Sequence, residues 1–99
     1  MIENIYFVGI GGIGMSALAR YFKLKGKTVA GYDRTPTEIT DSLAHEGIAV
    51  HFTDDVNAIP LDFKNPENTL VVYTPAIPKN HSELCYFQQN GYQVLKRSE

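Results

Sequence analysis

The sequence lacks the features that mark secreted, membrane-spanning and nucleic-acid-binding proteins. Its 99 residues include one cysteine, Cys85, which excludes an internal disulfide and fits a reducing cytoplasm. No apolar run approaches the roughly 20 residues of a membrane-spanning helix, and no basic segment of a signal peptide precedes the first apolar run. Net charge is −2 and the cations are scattered. We therefore expect a cytoplasmic protein that binds neither nucleic acid nor membranes.

Catalytic and metal-binding patterns are also missing. The histidines His45, His51 and His81 do not have the spacing of metal ligands. No G-x-x-x-x-G-K-[ST] motif occurs, because Tyr21 stands where the first glycine before Gly26-Lys27-Thr28 is required. We expect no catalytic residue, no metal site and no cofactor within this chain.

What remains is the composition of one small globular domain, with 43% hydrophobic and 20% charged residues and no internal linker. Short apolar runs alternate with helical patterns, which predicts an α/β fold. We expect a Rossmann-like, doubly wound, five-stranded parallel sheet in the order 3-2-1-4-5 with helices on both faces. The predicted strands are Asn4–Val8, Thr28–Tyr32, Ile48–Phe52, Thr69–Tyr73 and Tyr92–Leu95.

Capping residues predict where the helices begin. Thr35, Pro36 and Glu38 fit the N-cap, the first turn and the third position of a capping box for the second helix. Asn80 or Ser82 is the expected cap of the third helix. We further expect Leu61–Asn68 to be a surface connection and Cys85 to be a small core residue.

Glycines follow the first predicted strand and open the first helix. Gly9, Gly11 and Gly14 fit G-x-G-x-x-G, with Gly12 as an extra glycine. A glycine turn between strand and helix binds phosphate through backbone N–H groups and the positive end of the helix dipole. The alternative is a turn that serves only close helix–strand packing. Ser16 either donates to a phosphate or bonds to backbone.

Asp33 stands nineteen residues after Gly14, at the end of the second strand. A carboxylate in this position accepts hydrogen bonds from a ribose diol; the alternative is a cap for the following helix. The glycine loop, Asp33 and the loop Thr74–Ile77 all follow strands at one sheet edge, where ligands of doubly wound folds bind. His51 ends the third strand at the same edge and is a further candidate.

The stretch from Val8 to Ser16 resembles the amino-terminal domain of the Mur ligases. The similarity continues through Gly31-Tyr32-Asp33 and Thr74-Pro75-Ala76-Ile77 and ends with Gln93-Val94-Leu95-Lys96-Arg97-Ser98-Glu99, so it covers essentially the whole chain, 1–99. The resemblance implies a domain that binds the UDP portion of UDP-N-acetylmuramate. It also implies a central domain for ATP and magnesium and a third for the amino acid, both outside this chain.

The reaction that the resemblance implies activates the muramyl carboxylate as an acyl phosphate, which the amine of L-alanine attacks. By itself this chain is expected to bind and not to catalyse. The expected diphosphate contacts run from Gly11 to Ser16, Asp33 with Arg34 or Thr35 meets the uridine, and Thr74 to Ile77 line the other side. The full set of candidate binding residues is Gly9, Ile10, Gly11, Gly12, Ile13, Gly14, Met15, Ser16, Asp33, Arg34, Thr35, His51, Thr74, Pro75, Ala76 and Ile77.

Three other functions are compatible with the residues. The first is the ligase that recycles murein tripeptide onto UDP-N-acetylmuramate. The second is the NAD(P)-binding half of a dehydrogenase, which would require a second mononucleotide-binding half. The third is a non-enzymatic nucleotide-sensing module.

Overall fold

Strands and helices alternate along the chain as the sequence predicts. The computed structural model describes residues 1–97; Ser98 and Glu99, the end of the resemblance noted above, lie outside the described residues. The strands are β1 (Asn4–Val8), β2 (Thr28–Tyr32), β3 (Ala49–His51), β4 (Thr69–Tyr73) and β5 (Gln93–Lys96). The helices are α1 (Ile13–Leu24), α2 (Glu38–His45) and α3 (Ser82–Gln89), and two 3₁₀ turns span Val56–Ala58 and Leu61–Phe63.

The five strands form one parallel sheet in the order β3-β2-β1-β4-β5, which confirms the predicted topology. Val8 is in register with Tyr32 on one side and Tyr73 on the other. The carboxyl ends of the three central strands are therefore level, and the loops that follow them meet at one edge. The strand order reverses between β1 and β4, so a crevice opens there.

Core residues cover both faces of the sheet. On one face Ile5 and Phe7 pack with Ala19 of α1 and Leu43 of α2. On the other face, Tyr6 and Val8 belong to the cluster that contains Phe87 of α3 and Phe63 of the second 3₁₀ turn. All five residues of β1 are buried, as expected for a central strand with helices on both sides.

The start of α2 differs from the prediction. Its N-cap is Thr37, whose hydroxyl accepts from the backbone N–H of Thr40 at 3.2 Å, and the Thr40 hydroxyl accepts from the N–H of Thr37 at 2.8 Å. The capping box predicted on Thr35 and Glu38 was therefore wrong by two residues. Thr40 is buried, and its methyl group lies close to the position that a Cβ on Gly11 would occupy. Thr40 thus packs beside the glycine loop at the same time as it completes the capping box.

Three further predictions needed correction. The N-cap of α3 is His81, which lies between the predicted Asn80 and Ser82. The connection before β4 is not wholly superficial, because Phe63 is 1% exposed and packs in the core. Cys85 is only half-buried, and its thiol donates to the carbonyl of Lys79 at 3.3 Å. Among residues 1–97, none of the helices has the length and hydropathy needed to span a bilayer.

Candidate functional site

A cavity of about 680 Å³ opens at the carboxyl ends of β1, β2 and β4. Three predicted stretches contribute to its wall: the glycine loop, the segment after β2 and the loop after β4. The candidate residues that line the cavity are Gly9, Gly12, Asp33, Arg34, Thr35, Thr74, Ala76 and Ile77. The volume is within the range of small-ligand sites.

Each glycine of the G-x-G-x-x-G pattern makes room for a side chain from another strand end. Gly9 has φ of +95°, in the region that favours glycine, and a Cβ there would collide with the methyl group of Thr74. Thr74 follows β4, and its backbone N–H donates to the carbonyl of Val8 at 3.2 Å. The first glycine therefore permits both the turn and the close approach of the β4 loop.

The second glycine is held by the acidic residue at the end of β2. The backbone N–H of Gly11 donates to Oδ2 of Asp33 at 2.7 Å, and a Cβ on Gly11 would lie 2.7 Å from the same oxygen. The other oxygen, Oδ1, accepts from the N–H of Thr35 at 3.2 Å. Asp33 thus orders the glycine loop and the segment before α2 together. Each carboxylate oxygen has a second acceptor site for a ligand hydroxyl.

The third glycine faces a cation that sequence reasoning did not place at the site. A Cβ on Gly14 would lie 2.6 Å from the guanidinium carbon Cζ of Arg97. Arg97 follows β5, and its backbone N–H donates to the carbonyl of Tyr73 at 2.8 Å. Its side chain therefore reaches across the end of β4 to the first turn of α1. Only the sheet order, with β5 beside β4, brings these residues together.

The far wall of the cavity is formed by residues that the sequence did not single out as ligand-binding: Tyr32, Asp54, Pro78, Asn80 and His81. The ring of His81 packs edge-to-face on Tyr32, with centroids 4.6 Å apart. Asp54 accepts from the N–H groups of Ser82 at 2.8 Å and Glu83 at 3.0 Å. It thereby caps α3 from the loop after β3. Burial, together with the nearby carboxylate of Asp54, raises the pKa of Tyr32.

Behind this wall a buried carboxylate holds three elements together. Glu83 of α3 is fully buried and accepts from the Tyr6 hydroxyl at 2.6 Å. Its other oxygen lies 2.6 Å from Nε2 of His51 and accepts from the N–H of Asp55 at 3.2 Å. Burial and the adjacent Glu83 charge raise the pKa of the Tyr6 phenol far above its usual range. The cluster fixes the position of α3 relative to β1 and β3.

Half of the candidate residues lie away from the cavity wall. Ile10, Met15 and Ser16 are buried, and the Ser16 hydroxyl donates to the carbonyl of Ile13 at 3.0 Å, the backbone alternative considered above. His51 bonds to Glu83 behind the wall. The remaining residues are Gly11 and Gly14, which contact Asp33 and Arg97, the exposed Ile13, and Pro75, which lines a separate cavity of about 330 Å³.

The site does not have the groups of an ATP or metal centre. Across residues 1–97 no three His, Cys, Asp or Glu side chains come together in a way that would hold a metal ion. The glycine loop also has Met15 at the position where a P-loop has its lysine. These residues therefore do not fit Mg²⁺ and ATP. Donors of the glycine loop and polar groups around a half-open cavity fit an anionic nucleotide-like ligand.

Comparison with known proteins assigns the chain to a family. A sequence model described as "Mur ligase family, catalytic domain" matches residues 4–99. The chain belongs to the Mur ligase family. The prediction from the residues at 8–16, 31–33, 74–77 and 93–99 is thereby confirmed.

Relatives and solved structures support this Mur ligase assignment in detail. The chain is 61% identical over 98 residues to the UDP-N-acetylmuramate–L-alanine ligase of Porphyromonas gingivalis and 58% identical to that of Flavobacterium johnsoniae. It covers 22% of each relative's length, and they cover 99% of this chain. The chain thus spans about a fifth of the curated relatives that it matches.

Two crystal structures have the same fold. The UDP-N-acetylmuramate–alanine ligase of Thermotoga maritima superposes with a TM-score of 0.83 at 32% identity, over 95% of this chain and 20% of that protein. The UDP-N-acetylmuramate:L-alanyl-gamma-D-glutamyl-meso-diaminopimelate ligase of Neisseria meningitides gives 0.81 at 23% identity, over 97% and 29%. The second likeness concerns the fold alone.

Proposed function

We propose that residues 1–99 are the amino-terminal, UDP-sugar-binding part of an ATP-dependent ligase that joins L-alanine to UDP-N-acetylmuramate. The reaction belongs to cytoplasmic peptidoglycan precursor synthesis. Membership of the family, and the names of the Porphyromonas and Flavobacterium relatives, support this assignment. These names favour the L-alanine ligase over the tripeptide-recycling ligase. Family membership likewise argues against a dehydrogenase half and a non-enzymatic sensor.

The observation that carries the proposal is the convergence of the glycine loop, Asp33 and the loop after β4 on one cavity. In this arrangement the glycine loop and the first turn of α1 bind the diphosphate. Asp33, with Arg34 or Thr35, binds the uridine, and Thr74, Ala76 and Ile77 enclose its other side. Pro75, the other residue of that loop, lines the separate smaller cavity.

This chain's contribution to the reaction is binding and orientation. It holds the nucleotide end of the substrate and so directs the muramyl carboxylate toward the rest of the ligase. ATP and magnesium supply activation of that carboxylate, and we assign their binding to the central domain that follows this chain, because the residues here do not fit them. The amino acid is assigned to a third, carboxy-terminal domain. Both domains are partners of this chain within one polypeptide.

The proposal is tested by titrating UDP-N-acetylmuramate into the full-length ligase by calorimetry. Asp33→Ala removes an acceptor for the ribose and the partner of the Gly11 N–H, so we expect affinity to fall about tenfold or more, since a charge-assisted hydrogen bond contributes about 1.5–3 kcal/mol. Asp62→Ala, which removes an exposed carboxylate away from the cavity, is the matched control and should bind like the wild type. Tighter binding of NADH than of UDP-N-acetylmuramate would contradict the proposal.

A further inference from the structure

Among the contacts described above, Arg97 is the cation that packs against the first turn of α1. Its guanidinium rests on Gly14, where a Cβ would come within 2.6 Å of Cζ and Nη2 and 2.9 Å of Nη1. The backbone of Arg97 is fixed by the bond to Tyr73 at the end of β4. The third glycine of the loop is therefore required to admit this side chain as well as to pack the helix on the strand.

The charge of Arg97 has the wrong sign for a helix amino terminus. The helix dipole presents partial positive charge there, which favours anions and disfavours cations. α1 has no acidic residue in its first turn, and its N-cap, Gly12, has no side chain to accept from the helix N–H groups. The guanidinium thus lies at the first turn of α1, whose N-cap Gly12 lines the cavity. An anion bound at this helix terminus is favoured both by the helix dipole and by a neighbouring guanidinium.

We propose that Arg97 binds the diphosphate of the nucleotide ligand, opposite the first turn of α1. This inference rests on the proposed function and adds a residue to it. A guanidinium donates two parallel hydrogen bonds to phosphate oxygens, and its charge offsets that of the ligand. It carries five N–H donors, so bonds to other groups leave donors for phosphate. The diphosphate is then held from β1 and β5 at once, on both sides of β4.

The test compares UDP with uridine, which differ only in the phosphates. Both are titrated, in competition with UDP-N-acetylmuramate, into the full-length ligase as wild type and as Arg97→Gln. We expect the variant to bind UDP about tenfold more weakly and to bind uridine unchanged, because only UDP reaches the guanidinium. The salt dependence of UDP binding should also become shallower. A merely structural role would weaken both ligands together.

Lys96→Gln provides the matched control. It removes one positive charge from the adjacent, exposed position of β5, whose side chain lines the separate smaller cavity. We expect it to leave the preference for UDP over uridine as in the wild type. An equal loss in Lys96→Gln and Arg97→Gln would overturn the proposal, because it would trace the effect to net charge.

Gly14→Ala tests the same contact without removing the arginine, and it replaces Arg97→Gln if that variant does not fold. The added methyl group displaces the guanidinium, which lies at the end of a flexible side chain. We expect Gly14→Ala to lose affinity for UDP and not for uridine. The double variant Gly14→Ala/Arg97→Gln should bind UDP no more weakly than whichever single variant has the lower affinity for UDP. Additive losses, or a loss shared by UDP and uridine, would overturn the proposal.

The two proposals fail in different ways. If wild-type ligase shows no preference for UDP over uridine, the proposed function fails in this site. If wild type prefers UDP and both Arg97→Gln and Gly14→Ala retain that preference, the role of Arg97 alone fails.

Discussion

The amino termini of α1 and α3 lie on opposite sides of the same cavity and are completed in opposite ways. At α3, Asp54 accepts from the N–H groups of Ser82 and Glu83, and Nδ1 of His81 lies 3.4 Å from the N–H of Leu84. At α1, the N-cap is a glycine without a side chain, the first turn has no acid, and Arg97 packs against it. The chain itself therefore supplies the negative charge at the amino terminus of α3 but not, in these contacts, at the amino terminus of α1.

The difference separates contacts that stabilise the fold from donor groups that can bind a ligand. A helix end that is capped internally contributes to folding, because its orphan N–H groups have partners in the folded chain. A helix end without such a cap retains donors for a ligand. Loss of the α3 cap should therefore act mainly on unfolding, and loss of the Arg97 side chain beside α1 mainly on ligand affinity. Four predictions on the free energy of unfolding examine this contrast, from the largest expected effect to the smallest.

Glu83→Ala should have the largest effect on stability. It leaves the Tyr6 hydroxyl, His51 and the N–H of Asp55 without their buried acceptor, and we expect a loss of about 3–5 kcal/mol in urea denaturation. Glu38→Ala removes an exposed carboxylate from the first turn of α2 and should cost only about 0.5 kcal/mol. Similar losses in the two variants would contradict the assignment of Glu83 as the centre of the buried cluster.

Asp54→Ala should lower the free energy of unfolding by about 2 kcal/mol, because it leaves two backbone N–H groups at the start of α3 without their acceptor. Its neighbour Asp55 caps only a 3₁₀ turn, through the N–H of Asn57 at 2.9 Å. Asp55→Ala should therefore cost about 0.5–1 kcal/mol. Thermal unfolding of the two variants measures the difference. If Asp55→Ala proves the more damaging, the α3 cap is not the stronger contact.

Gly11→Ala and Gly12→Ala separate two adjacent glycines on the α1 side. A Cβ on Gly11 would lie 2.7 Å from Oδ2 of Asp33 and 3.1 Å from the Thr40 methyl group, whereas a Cβ on Gly12 meets nothing nearer than 3.8 Å. We expect Gly11→Ala to destabilise by about 2 kcal/mol through overpacking and Gly12→Ala by under about 1 kcal/mol. Equal losses in urea denaturation would show that the Asp33 contact does not constrain Gly11.

The buried Tyr6 phenol should make the protein sensitive to alkali. Its pKa is raised in the folded state, so above about pH 10 the unfolded chain loses a proton that the folded chain keeps, and stability falls as pH rises. The loss between pH 8 and pH 11 should be about 1.4 kcal/mol from this group.

Tyr6→Phe should remove that part of the alkaline slope, although it also loses the bond to Glu83 at every pH. Tyr21→Phe, which removes a phenol from an exposed position of α1, is the matched control variant. Denaturant unfolding at several pH values gives the slopes. A slope in Tyr6→Phe equal to that of the wild type would mean that another group titrates.

Much of the fold follows from local patterns. β1, β2 and β4 begin and end at the predicted residues, since apolar runs bounded by glycine, aspartate and proline leave little freedom in their limits. The edge strands differ from their predicted bounds: β3 is Ala49–His51 within the predicted Ile48–Phe52, and β5 is shifted by one residue from the predicted Tyr92–Leu95 to Gln93–Lys96. Edge strands have one neighbour only, so pairing and not hydrophobicity sets where they end.

The candidate site was predictable where chain neighbours form it and not where distant elements meet. The glycine loop and Asp33 follow a known spacing, and the edge to which Thr74–Ile77 belongs follows from the strand order. Asp54, His81 and Arg97 gave no local signal. Their places depend on the pairing of β3 with β2 and of β5 with β4, and on α3 packing beside the loop after β3.

The sequence by itself determined the sheet order, the crevice and the family, because strand periodicity, turn glycines and capping residues act over a few neighbouring positions. The tertiary structure alone decided what the three glycines are for: Gly9 admits Thr74, Gly11 admits Asp33 and Gly14 admits Arg97. The physical reason is that each of these contacts joins residues 22 to 83 positions apart. Such pairs become neighbours only when the parallel strands align their carboxyl ends at one edge.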